Sequence, residues 1–389
     1  MNKATTGHLV KILENASADP KHADFAEAKK YLDAFRHMEG KFFDGIHSDT
    51  DTGLAMAETA ANEGGSPNIF TRHNGNHIVD LSKNLDKLAE SIERRKNGTA
   101  LSVLEAYILL CSAHVHDAAN VSGRKDHPQR VGDFMAYPLR KPLFTGTVEM
   151  EHIRDVASAH GGEHEEFGKD TFRAIEANNY THPRLHLLAA LLRIADELAE
   201  NPGRVPEYLL EHYQASEHSQ LAHAYARSFA NFELRDECLK LVYRCYPGIC
   251  DGENESVSSF IQFLEKKLNA IESEARYCSQ YGRPYLSISE IDVAIQPWSQ
   301  APPGGQKLPL RQFKLNLLNG YPENKNSLCE RSVELKEAGF KCLDDAFVGL
   351  YNTSSSIRKS GKATGTEQST EPSRLAKFLN KLFFLGGNS

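Results

Sequence analysis

The sequence predicts a mainly helical protein: a helical bundle core, followed by a small α+β unit of β-β-α-β order and a C-terminal extension. Three observations predict it. Apolar residues recur at helical spacing from the N-terminus to about residue 200, short segments between residues 222 and 295 alternate instead, and the text beyond residue 353 turns to Ser, Thr, Lys and Gly.

Each element follows in order. After Pro20, Phe25, Ala28, Tyr31, Leu32, Phe35 and Met38 share one face, so residues 1–55 read as helical. A loop rich in Gly, Asn and Pro runs from Asn62 to Asn76. A second helix carries Ile78, Leu81, Leu85, Leu88 and Ile92, and Asn97-Gly98 breaks it. A third spans about Ala100 to Ala119, with Leu104, Tyr107, Ile108 and Cys111 as its stripe. Asn120 to Val148 is a basic, proline-rich loop. Helical pattern returns from Val148 to about His160 and from about Pro183 to Glu200, where Asn201-Pro202-Gly203 ends it.

Past Pro206 the texture changes. Ala222 to Phe232 and Glu237 to Cys245 read as strands around the turn Leu234-Arg235-Asp236. Val257 to Tyr277 is a helix with Phe260, Leu264, Leu268 and Ile271 in register, and Leu286 to Ile295 is a third strand. Ala301 to Gly305 is a linker. The predicted organisation is an N-terminal helical segment (1–60), a helical core (61–206), the α+β unit (207–300), a mixed segment (301–352), a disordered linker (353–373) and an amphipathic helix (374–385).

Composition excludes several classes. The net charge of −7 argues against a general nucleic-acid coat, whose affinity depends on a basic tract. The longest apolar stretch, Ala106 to Ala113, is far too short to cross a bilayer, and Met1 to Pro20 has charges spread through its apolar positions, unlike a signal peptide. The seven cysteines form no Cys-x-x-Cys, which predicts a reduced, cytoplasmic chain without a cysteine-built zinc site.

The chemistry concentrates in three places. His116-Asp117 ends an apolar helix and supplies an imidazole and a carboxylate whose two oxygens can serve two cations. His77 opens the preceding helix. Asp196 lies in the apolar run Leu191-Leu192-Arg193-Ile194-Ala195-Asp196-Glu197-Leu198, where a carboxylate is costly unless paired or metal-bound. Taken alone, the His-Asp pair reads as a chance dipeptide and Asp196 as a partner for Arg193.

Together, His…His-Asp…Asp on three successive amphipathic helices resembles the HD-domain superfamily of metal-dependent phosphohydrolases, over roughly residues 65 to 205. The resemblance implies an HD-type helical core in which His77, His116, Asp117 and Asp196 hold a divalent transition metal: Mn, Fe, Co, Ni or Zn, with Mg less suited. Two-metal members add histidines before the final Asp. The candidates here are His127, His160, His164, His182 and His186, each of which taken singly reads more readily as a solvated loop histidine. His160 or His164 is also the expected proton donor to a leaving oxygen. Many members carry Lys or His three residues after the Asp. This chain has Asn120, an expected substrate contact that can hydrogen-bond a phosphate or a bound water but supplies no charge; Arg124 and Lys125 are the nearest basic substitutes for contacting phosphate.

The implied substrate is a nucleotide, with a deoxynucleoside triphosphate cut to nucleoside and triphosphate as the leading expectation. A phosphodiesterase on cyclic nucleotides or oligonucleotides is the rival. A non-catalytic nucleotide-sensing module is the reading from outside enzymology, and Asn120 speaks for it. The C-terminal helix is expected to dock on its own or a neighbouring subunit, giving a homo-oligomer, or to hold a partner protein.

Overall fold

Ser102 starts the central helix of the fold. Its side chain accepts from Glu105 N (3.2 Å) while Glu105 returns to Ser102 N (2.9 Å), so two backbone donors at the helix end are satisfied. The sequence that follows is apolar all round, and Glu105 to Val115 are buried without a break. A helix of that kind must be enclosed by others. Leu104, expected on the buried stripe, is the half-exposed position.

The computed structural model describes residues 6–47, 75–95, 98–122, 126–136, 141–176, 182–206, 216–249, 257–301, 304–319 and 327–347. They all belong to one compact unit, Met1–Val348. The expected loop at Asn62–Asn76 (apart from its last two residues), Arg124, Lys125, the linker 353–373 and the helix 374–385 lie outside the described residues, as does the C-terminal docking expectation.

In chain order the helices are α1 (His8–Ala18), α2 (Phe25–Lys41) with a π-helical turn at Phe42–Ile46, α3 (Gly75–Glu93), the central α4 (Val103–Val115), α5 (Val131–Ala136), α6 (Thr147–Ser158), α7 (Leu185–Glu197) and α8 (Glu217–Ser228). Strands β1 (Phe229–Arg235) and β2 (Cys238–Cys245) follow, then α9 (Val257–Gly282), β3 (Glu290–Pro297), β4 (Arg311–Asn316), α10 (Leu328–Arg331) and α11 (Val333–Glu337). Helices α1, α2, α3, α6 and α7 all pack on α4. The described residues are thus mainly helical with one four-stranded sheet, order β1-β2-β3-β4.

β1–β2 is an antiparallel hairpin, β2–β3 is parallel with α9 as the crossover, and β4 closes the sheet antiparallel to β3. Two strand expectations need correction. The segment 222–228 is helix rather than strand: Ser216 caps it by accepting from Ser219 N, and His223 to Ala226 are buried in sequence rather than in alternation. β4, within the mixed segment, was not anticipated, because only Phe313 and Leu315 face the core there.

Helical core and sheet are joined by polar clamps. Lys87 Nζ donates to Asn231 Oδ1 (2.9 Å), Ser91 donates to Leu234 O, and Arg95 donates to Tyr285 O (3.2 Å) and Ser287 O (2.7 Å). The first two contacts join α3 to β1, and those of Arg95 tie the end of α3 to the segment before β3. From α7, Arg193 grips Glu274 of α9 through Nε–Oε2 (2.5 Å) and Nη2–Oε1 (2.9 Å), with its guanidinium over the Tyr277 ring (4.7 Å). No helix among the described residues is long and apolar enough to cross a membrane.

Candidate metal centre

Three helices deliver four side chains to one point. His77 comes from the first turn of α3, His116 and Asp117 from the end of α4, and Asp196 from the last turn of α7. His77 Nε2 lies 3.3 Å from Asp196 Oδ1 and 3.8 Å from Asp117 Oδ2. His116 Nε2 lies 3.2 Å from Asp117 Oδ2 and 3.6 Å from Asp196 Oδ1. Asp196 therefore faces the histidines, not Arg193, whose partner is Glu274. Both histidines are fully buried, while Asp196 keeps 28 % of its side-chain surface and marks the solvent side of the group.

The second oxygen of Asp117 serves a different set. Asp117 Oδ1 lies 3.1 Å from His127 Nε2 and 3.8 Å from His160 Nε2, and those two nitrogens are 3.1 Å apart. Asn120 Nδ2 donates to the same oxygen at 2.8 Å. Asp117 is thus the shared member of two groups, one on each oxygen.

Backbone carbonyls orient two of the rings. His116 Nδ1 lies 2.9 Å from Ala113 O and His160 Nδ1 lies 2.6 Å from Ala157 O, both one turn back. An Nδ1–H donated to a carbonyl turns Nε2 toward the carboxylates, where the neutral ring would offer a cation its lone pair. His116 Nε2 is buried and makes no directed hydrogen bond, although two carboxylate oxygens stand within 3.6 Å. Three imidazole or carboxylate donors at such spacing fit a cation: His77, His116 and Asp196 form one such group, and His116, Asp117 and His160 another.

Electrostatics point the same way. Burial works against charge on His116, but the Asp117 and Asp196 carboxylates outweigh it and hold the imidazole well above its ordinary value. Burial would raise Asp196, yet His116 and His77 hold it well below the usual carboxylate range. Burial, then the Arg204 guanidinium, pushes His77 down. Burial, then His116 and His127, pushes His160 down to about 3, so it remains neutral at pH 7. The two carboxylates thus hold a positive charge on His116 between them, the place that a divalent cation would take.

The remaining sequence candidates have other places. His160 is buried, not solvated. His164 is only half-buried and lies in a hairpin with Gly168 (His164 N to Gly168 O, 2.6 Å); its Nδ1 accepts from Glu166 N (3.2 Å) and its ring stacks on Phe167. His182 is largely exposed beside Glu105 (3.3 Å), and His186 Nε2 lies near the carbonyls of Phe172 and Ile175. Asn120 is fully buried against Asp117.

One feature escapes the sequence altogether. His47, at the end of the π-helical turn, places Nε2 3.2 Å from His114 Nδ1, with Phe42 and Phe43 packed edge-on against the His114 ring. Burial, then His116 and His77, pushes His47 down to about 3. His114 could have been suspected as a polar residue in an all-apolar helix; His47 has no local pattern to announce it.

No curated protein and no solved structure matches the chain significantly. Residues 68–277 match the HD-CE family, more than half of the chain, and the matched span holds every member of the two groups around Asp117. With a His, His-Asp and Asp set brought together from successive helices inside that span, the chain belongs to the HD-CE family and carries an HD-type domain.

Proposed function

We propose that this protein is a metal-dependent phosphohydrolase acting on nucleotides, with His77, His116, Asp117 and Asp196 holding one divalent cation. The second oxygen of Asp117, with His127 and His160, would hold another. The observation that carries the reading is the division of Asp117 between two histidine pairs. When bound, such cations polarise a phosphoryl oxygen and make water a stronger acid.

The chain's own residues do the rest. The helix ends fix four donors before substrate arrives, so no ordering cost falls on the reaction. Ala113 O and Ala157 O hold His116 and His160 in one tautomer. With Nδ1 held there and Nε2 facing Asp117, His160 reads as a ligand better than as a proton donor. His164, occupied within its own hairpin, has no contact that supports the donor role.

Two cations held on the two oxygens of one carboxylate would suit in-line displacement at phosphorus, which serves a phosphodiester and the ester of a triphosphate alike. The candidate activities are therefore a phosphodiesterase and the triphosphohydrolase that the sequence resemblance puts first. Incubating the full chain and Mn²⁺ with a panel of deoxynucleoside triphosphates, cyclic nucleotides and short oligonucleotides separates them. Nucleoside monophosphate from a diester supports the first, and released triphosphate the second. Either activity should fall at least about a thousandfold in His116→Ala and Asp117→Ala. Nucleotide binding without turnover would replace both with a sensing role.

A further inference from the structure

Asn120 stands in the 3₁₀ turn Ala118–Ser122 that follows the His-Asp pair. It is fully buried. Its backbone N donates to Asp117 O (2.9 Å) and its Nδ2 to Asp117 Oδ1 (2.8 Å), so one residue grips both the main chain and the carboxylate of Asp117. Its Oδ1 is buried and accepts no hydrogen bond from a described residue. The amide cannot be reversed, since an amide oxygen against the carboxylate would set two acceptors face to face. Leaving that Oδ1 desolvated is a cost that a residue kept only to fill space would avoid.

A carboxylate oxygen has two lone pairs. With one taken by the amide, Asp117 cannot rotate about its terminal bond without breaking the 2.8 Å contact, and its oxygens keep their separate directions. Oδ1 then stays with His127 and His160, and Oδ2 with His116 and His77. An amide achieves this without charge. An ammonium at the same place would pair with Oδ1 and repel a cation beside it.

We infer that Asn120 is a positioning residue for the metal centre rather than a substrate contact: it locks Asp117 so that one carboxylate serves two cation sites. The assignment rests on the metal reading above and concerns binding, so its test needs no turnover. Chelator-stripped full-length protein is titrated with Mn²⁺ by calorimetry, comparing wild type with Asn120→Ala and Asn120→Lys, and the metal-free melting temperature of each is measured.

Asn120→Ala should weaken Mn²⁺ binding about 10- to 100-fold while the metal-free protein still melts cooperatively. Asn120→Lys should lower the stoichiometry as well, because its charge displaces the cation on the Oδ1 side. If Asn120→Ala does not fold, the Lys variant decides. Wild-type affinity and stoichiometry in whichever variant folds would overturn the assignment. No Mn²⁺ bound by the wild type would instead remove the metal reading itself, and this assignment with it.

Discussion

At Asp117 a single carboxylate meets two histidine pairs, and such a group holds its place only because neighbouring residues fix it. The same logic governs the buried ion pair at the opposite end of α4. Glu105 and Arg184 are both fully buried, joined by Nε–Oε1 (2.7 Å) and Nη2–Oε2 (2.6 Å), with Arg184 N adding a third bond to Oε1 (2.9 Å). Removing one partner leaves an uncompensated charge, so Arg184→Ala should cost about 3–5 kcal/mol in urea denaturation. Burial would raise the Glu105 carboxyl, but Arg184 and the Ser102 amide hold it down at about 2.

A depressed carboxyl contributes stability that is whole above its unfolded value near 4.5 and fades as pH falls toward about 2. The contribution is on the order of 3 kcal/mol. In wild type the melting temperature should therefore drop steeply over that window, and Glu105→Gln should flatten the drop. An equal slope in the variant would show that other groups carry the acid sensitivity.

His116, Asp117 and Asp196 were legible because each broke an apolar run, whereas His77 was legible only through its order before the His-Asp pair. His127 was named only as one of five loop histidines, since nothing local distinguishes it. It is singled out by a 3.1 Å approach to Asp117, a fact of loop path.

Among the elements, α7 shows how far periodicity reaches. Leu188 and Leu192 were readable as a buried face, and both are fully buried. That Arg193 spans to Glu274 on α9 was not readable, because its partner lies in a distant helix. Arg193→Ala should loosen α7 from α9 and lower stability by about 3 kcal/mol, seen as a lower urea midpoint, whereas Leu192→Ala should cost about 2–5 kcal/mol through the cavity it leaves.

Helix α8 was misread because Ala222-His223-Ala224-Tyr225-Ala226 alternates small and large residues, which imitates a strand. The cap at Ser216 and burial on successive positions decide for helix. β4 escaped for the opposite reason: a short edge strand with two inward residues is defined by its pairing with β3, which no window of sequence contains.

For the molecule as a whole, the family span and the folded unit do not coincide. Residues 68–277 end inside α9 and leave out α1, α2, β3 and β4. Yet β2 pairs with β3 along its full length, from Cys238↔Glu290 to Cys245↔Pro297, and α1 and α2 pack on α4. A fragment limited to 68–277 should therefore lack cooperative melting in circular dichroism, while a chain of residues 1–348 should melt in one transition. A sharp transition in the short fragment would show that the outer elements are additions to a self-sufficient core.

The central claim at this scale is that helices far apart in the chain converge on cations. Diffraction from Mn²⁺-loaded crystals, recorded at the manganese absorption edge, tests it most directly. An anomalous peak among His77, His116, Asp117 and Asp196, with a second beside Asp117, His127 and His160, is the predicted result. Fully loaded crystals with no peak at these side chains would contradict it.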